Sequence, residues 1–100
     1  MTESMFFDRD GQPIDLATYL RLFSDDGYRF LRRERVGRYE VVTAWLGADQ
    51  SLGLDTRPAI FGTVALVVGT DKLLEQKEWW AVDEEEALAN HERLLARLRD

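Results

Sequence analysis

One stretch limits what this chain can fold into more than any other: Ala59-Ile60-Phe61-Gly62-Thr63-Val64-Ala65-Leu66-Val67-Val68, opened by Pro58. A run so continuously apolar and rich in β-branched residues predicts a strand covered on both faces, placed centrally in a sheet. Extended to Gly69 it reaches eleven residues and is broken by Gly62 and Thr63. A membrane-spanning helix needs about 20, so no membrane segment is expected.

The strand's neighbours are legible on either side. Tyr39 to Leu46 is rich in β-branched and aromatic residues. Tyr28 to Val36 is extended in character, and Val36-Gly37-Arg38 turns the chain between the two, as in an antiparallel hairpin. Gly47 to Arg57 reads as a loop. After Gly69-Thr70-Asp71-Lys72, Leu74 to Val82 returns as a further strand carrying Trp79 and Trp80.

Helices are expected at both ends. Ser4–Phe7 suggests a short strand, ended by the turn residues Asp8-Arg9-Asp10-Gly11. Asp15 then caps a helix in which Leu16, Tyr19, Leu20 and Phe23 recur at i, i+3, i+4, i+7, with Ser24-Asp25-Asp26-Gly27 as its stop. Asp83 caps the C-terminal helix, with Glu86 three residues on as in a capping box. Glu84, Glu85 and Glu86 crowd its positive end, while Arg93, Arg97 and Arg99 lie toward its negative end. Its apolar stripe is Ala87, Leu88, Leu94, Leu95 and Leu98. The expected fold is α+β: one domain over residues 1–100, an antiparallel meander of three to four strands with a short N-terminal and a longer C-terminal helix packed on it.

Composition removes several function classes. At 100 residues there is room for one core, not for a large catalytic scaffold. The absence of cysteine excludes disulfides, a thiolate nucleophile and cysteine-based metal sites. A net charge of −6 disfavours nonspecific binding to nucleic acid or anionic membrane. The N-terminus has no basic segment leading into an apolar one, so a cytoplasmic location is expected. Phosphate-binding glycine loops and the G-x-S-x-G elbow are missing. No cofactor or metal is expected: Asp8-x-Asp10-Gly11 echoes a calcium loop, but Phe6 and Ala17 occupy positions where ligands are required.

The remaining candidates are few. His91, the single histidine, falls on or beside the buried stripe of its helix; it reads as a packing residue or, with a partner, as a general base. Residues 29–38 hold five arginines against one glutamate, a basic ribbon in an acidic chain. If the ribbon is a strand, Arg29, Arg33 and Arg35 share one face and Arg32 and Arg38 the other. Trp79 and Trp80 must point to opposite faces. If helices cover one face, Trp80 or Trp79 and half of the Ile60–Val68 run lie on the other, to be buried by a loop, a helix or a second copy. Trp45 is expected in the core.

The chain also carries Phe7-Asp-x-x-Gly-x-Pro-Ile14, Val41-x-Thr-x-Trp-Leu-Gly-x-Asp49, Phe61-x-Thr63 and Glu85-Glu-Ala-Leu-x-x-His-Glu92. In these motifs it resembles a family of small uncharacterised proteins of actinobacteria and their phages. The resemblance implies an origin and no particular activity. Two positions depart from its pattern: Gln50 stands where His is common, and Gly62 where Glu is common, so any polar site built from those groups is lost here.

These readings favour a small non-enzymatic accessory protein, phage-type or actinobacterial, that acts by binding another protein, with a homodimer through an apolar sheet face as one form. A narrower alternative is an anti-defence (anti-CRISPR-like) inhibitor presenting Glu75, Glu78, Glu84, Glu85 and Glu86 as one acidic surface. A third is a small ligand binder or enzyme in which a pocket brings Asp49 within hydrogen-bond reach of His91, beside Trp45.

Overall fold

The computed structural model describes residues 5–50, 57–70, 72 and 79–99. Strand β1 (Phe6–Phe7) pairs antiparallel with β2 (Pro13–Ile14), and α1 (Leu16–Phe23) and the single turn α2 (Asp26–Arg29) follow. Then come β3 (Phe30–Val36), β4 (Tyr39–Trp45), β5 (Phe61–Val67), β6 (Trp79–Ala81) and α3 (Glu84–Arg99). The last four strands form an antiparallel meander in the order β3-β4-β5-β6, with α3 packed on it. The α+β architecture expected from the sequence is the one observed, with β5 between two partners. Of the strand expected over 74–82, residues 74–78 lie outside the described residues.

Local chemistry accounts for the elements. Asp8 Oδ1 accepts the amides of Asp10 and Gln12 at 3.0 and 2.9 Å, and Gly11 takes φ +83°, so this acidic cluster is a turn that folds β1 onto β2. Asp15 caps α1 by accepting from Thr18 N at 2.8 Å, and Asp83 caps α3 by accepting from Glu86 N at 2.8 Å. A two-residue turn at Gly37-Arg38 joins β3 to β4, with Gly37 at φ +60°.

Three local expectations are corrected. Arg29 is not in a strand: Asp25 accepts from Tyr28 N at 3.3 Å and caps the helical turn α2, so the residues read as a stop for α1 start a second turn. A register shift between Phe30 and Arg32 then separates Arg29 from strand alternation. In α1 the buried stripe is rotated: Tyr19, Leu22 and Phe23 pack on the core, while Leu16 and Leu20 are each 55% exposed. The third concerns β5, whose two faces are not equally covered.

Alternation places Val41, Thr43 and Trp45 of β4 with Phe61, Thr63 and Ala65 of β5 on one face, all buried. Helix α3 lies there, its Ala87 beside Trp45, Ile60 and Phe61, and its Leu94 and Leu95 beside Val41 and Ala65. The N-terminal elements close the remaining end around Trp45. Its indole Nε1 donates to Phe7 O at 2.9 Å, and the rings of Tyr19, Phe23 and Tyr28 surround it at 5.1–6.3 Å between centroids. The opposite face carries Val42, Ala44, Gly62, Val64 and Trp80, and among the described residues no helix lies over it.

Gly47 is where this packing tolerates no side chain. It has φ +78°, and a Cβ there would lie 2.5 Å from Tyr19 Cε1 and 2.8 Å from Trp45 Cζ2. Gly47→Ala is expected to cost about 3 kcal/mol through overpacking and left-handed backbone strain. Gly37→Ala, where a Cβ meets nothing within 4 Å, should cost only the backbone penalty of about 1–2 kcal/mol. Urea denaturation of the two variants checks the difference.

Candidate functional site

The two faces of the sheet carry different chemistry. On the helix-covered face, α3 presents His91 at 0% relative exposure toward Thr43, also at 0%. Thr43 Oγ1 lies 2.7 Å from Thr63 Oγ1 and 2.7 Å from His91 Nδ1, and His91 Nε2 lies 3.2 Å from Glu34 Oε1. A carboxylate accepts, so Nε2 carries the ring hydrogen; Nδ1 then accepts from Thr43, whose oxygen accepts from Thr63. Every hydrogen in the chain is assigned by that one condition. Glu34 is also bonded to Arg32, which reaches Glu92 on α3, so the polar chain crosses from β5 through β4 and α3 to β3.

Burial, joined by the positive charge of Arg32 and opposed by Glu92, holds the His91 imidazole down at about 4. The ring is therefore neutral at pH 7, as the proton order requires. The sequence Thr–His–Glu repeats the order of nucleophile, base and orienting carboxylate. Here the hydroxyl is sealed beneath α3 with no route to a substrate, and the arrangement clamps helix to sheet.

The other candidates are placed as follows. Asp49 Oδ1 accepts the Ala59 amide at 2.9 Å. The structure thus brings His91 to Thr43 and Glu34, and Asp49 to Ala59. The Gln50 backbone N–H likewise donates to Ala59 O at 2.8 Å. Trp45 is core. Of the acidic residues, Glu84 is bonded to Arg9 while Glu85 and Glu86 are exposed; Glu75 and Glu78 lie outside the described residues.

The open face holds the accessible chemistry. Its Gly62 lies beneath Trp80, the cross-strand partner, and Leu46: a Cβ there would meet Leu46 Cδ1 at 3.1 Å and the indole at 3.5 Å. Val42, Ala44, Gly62 and Val64 form the floor of a groove of ≈ 280 Å³, walled by Phe23, Phe30, Leu46 and Arg29. Trp80 remains 38% exposed. Arg33 and Arg35 pair in register with Val42 and Glu40, on this same face. Arg33 is bonded to Glu40 at 2.8 Å, and Arg35 Nε donates to Gly37 O at 3.2 Å.

Sequence reasoning did not single out Glu34, Thr43 or Thr63. The signal was present: Val41-x-Thr43-x-Trp45 and Phe61-x-Thr63 place a hydroxyl at an inward position of each apolar strand, where it must find a partner. Comparison with family models, with curated proteins and with solved structures finds no match to this chain.

A histidine whose folded value lies below its unfolded value of about 6.5 binds fewer protons when folded. The stability it lends is complete above pH 6.5 and is lost as pH falls from there toward 4, about 3 kcal/mol in all. Imidazole nitrogen shifts are expected to report the neutral, Nε2-protonated ring down to pH 5; a titration near 6.5 would contradict the clamp. Thr43→Val strands both His91 Nδ1 and the Thr63 hydroxyl and should cost about 2–3 kcal/mol, against about 1 for Thr63→Val, read from denaturation midpoints.

Proposed function

We propose that this chain is a non-enzymatic accessory protein, phage-type or actinobacterial in origin, that engages a protein partner through the open face of its sheet. One observation carries the reading: apolar residues of β4 and β5 form a groove on the sheet face away from α3, bordered by Phe23, Phe30 and Arg29, and Trp80 on the same face is 38% exposed. Aromatic, aliphatic and arginine side chains around a desolvatable centre are the composition of protein-binding surfaces. The acidic-surface reading has less support, because Glu84 is bonded to Arg9 and Glu92 to Arg32.

Val64→Gln places a polar side chain in the groove while leaving the buried face untouched. Affinity capture from the native host is expected to enrich a partner on the wild-type chain and lose it on Val64→Gln. Arg93→Gln, on the exposed side of α3, should retain it. A partner held equally by both variants would overturn the reading. Sedimentation of dilute protein distinguishes the dimeric form, in which a second copy covers the face.

A further inference from the structure

The groove is lined almost wholly by apolar atoms, and its one charged lining residue is Arg29, which has no acidic partner among the described residues. The Arg29 guanidinium lies 4.5 Å from the Phe23 ring centroid and 4.4 Å from that of Phe30. It makes no hydrogen bond or ion pair with any described residue. Its neighbours on this face differ: Arg33 is bonded to Glu40, and Arg35 to the Gly37 carbonyl. Packing over two rings uses the π-face attraction for the cation and makes no hydrogen bond with the guanidinium's N–H fork, the donor set that matches a carboxylate. Stacking also removes part of the side-chain freedom that a carboxylate would otherwise have to freeze on binding.

We propose that the groove recognises an acidic partner segment: an apolar side chain seats on Val42, Ala44 and Val64, and an Asp or Glu beside it in sequence pairs with Arg29. The proposal rests on the sheet-face reading above and adds the chemistry of the occupant. Charge complementarity selects it. The carboxylate supplies the acceptors that Arg29 lacks, while the floor of the groove offers no polar partner and so demands an apolar anchor. A basic or uncharged segment leaves the guanidinium desolvated without an acceptor, an unfavourable arrangement.

The test selects random dodecapeptides displayed against the immobilised full chain, then measures chosen peptides by fluorescence anisotropy. Selected peptides are expected to share an apolar residue next to Asp or Glu. Arg29→Gln should weaken them at least tenfold, and Val64→Gln should abolish binding. Changing the peptide's acid to its amide should weaken binding to the wild-type chain by a similar factor and hardly change binding to Arg29→Gln, which ties the acid to that arginine. Arg29 is half-buried against two rings, so circular dichroism and the urea midpoint of the variant are compared with wild type to establish that its fold is kept. Acid-free peptides lost on Val64→Gln but indifferent to Arg29→Gln would overturn this inference and leave the sheet-face reading standing. Peptides indifferent to Val64→Gln would overturn both. Concentration-dependent self-association abolished by Val64→Gln would replace the acidic segment with a second copy of the chain.

Discussion

A four-stranded sheet is about 19 Å wide at the usual strand spacing, and an α-helix with its side chains covers a band about 10 Å across. One face therefore needs roughly two helices' worth of cover. Helix α3, with 16 residues, supplies half of it. The β1–β2 hairpin, α1 and α2 supply the rest around Trp45 and close that end of the sheet, where Phe23 and Arg29 also border the groove. Within the described residues no helical material is left over. The continuously apolar β5 strand, which on its own argues for cover on both faces, has one face fully in the core and the other only partly covered, with Gly62 buried and Val64 and Leu66 half-buried.

That asymmetry explains which parts of the structure were legible in the sequence. Strand identity, the meander order and the Asp15 and Asp83 caps depend on local chemistry and on a period of two or 3.6, and these can be read from spacing. The rotation of α1 cannot. Leu16 and Leu20 satisfy the helical period as well as Leu22 does, but the face that is buried is decided by where Trp45 stands, and Trp45 reaches α1 from 22 residues or more along the chain. Arg29 was misplaced for a related reason: both Asp15 and Asp25 are good cap residues, and nothing local shows that the second starts a new turn instead of ending the first helix.

The candidate residues divide along the same line. His91 was visible as a lone polar residue in an apolar stripe, yet its partners Thr43 and Glu34 come from two different strands, so their meeting is a product of register. The pairing of Thr43 with Thr63 across β4 and β5 sets the two hydroxyls opposite each other. With α3 laid over them, His91 completes the chain and Glu34 closes it. Arg29, Arg33 and Arg35 were legible as a basic ribbon. The difference among them is tertiary: Glu40 on β4 reaches Arg33, whereas the α2 turn sets Arg29 against two rings.

The buried chain and the open groove are complementary uses of polarity within one sheet. Among the described residues every buried side-chain polar atom has a partner, and a neutral imidazole lets the chain beneath α3 close without an uncompensated buried charge. Such a closed network fixes the register of β4 against β5 and the seat of α3, and it does so from the side that faces no partner. The outer face inherits that rigidity, because Val42 and Val64 on the outside are backbone neighbours of Thr43 and Thr63 on the inside. A groove held in place this way needs little reordering when it is filled, and the free energy of an anchor side chain entering it goes into affinity instead of into organising the surface. The clamp on one face is thus what would hold the proposed binding face in shape.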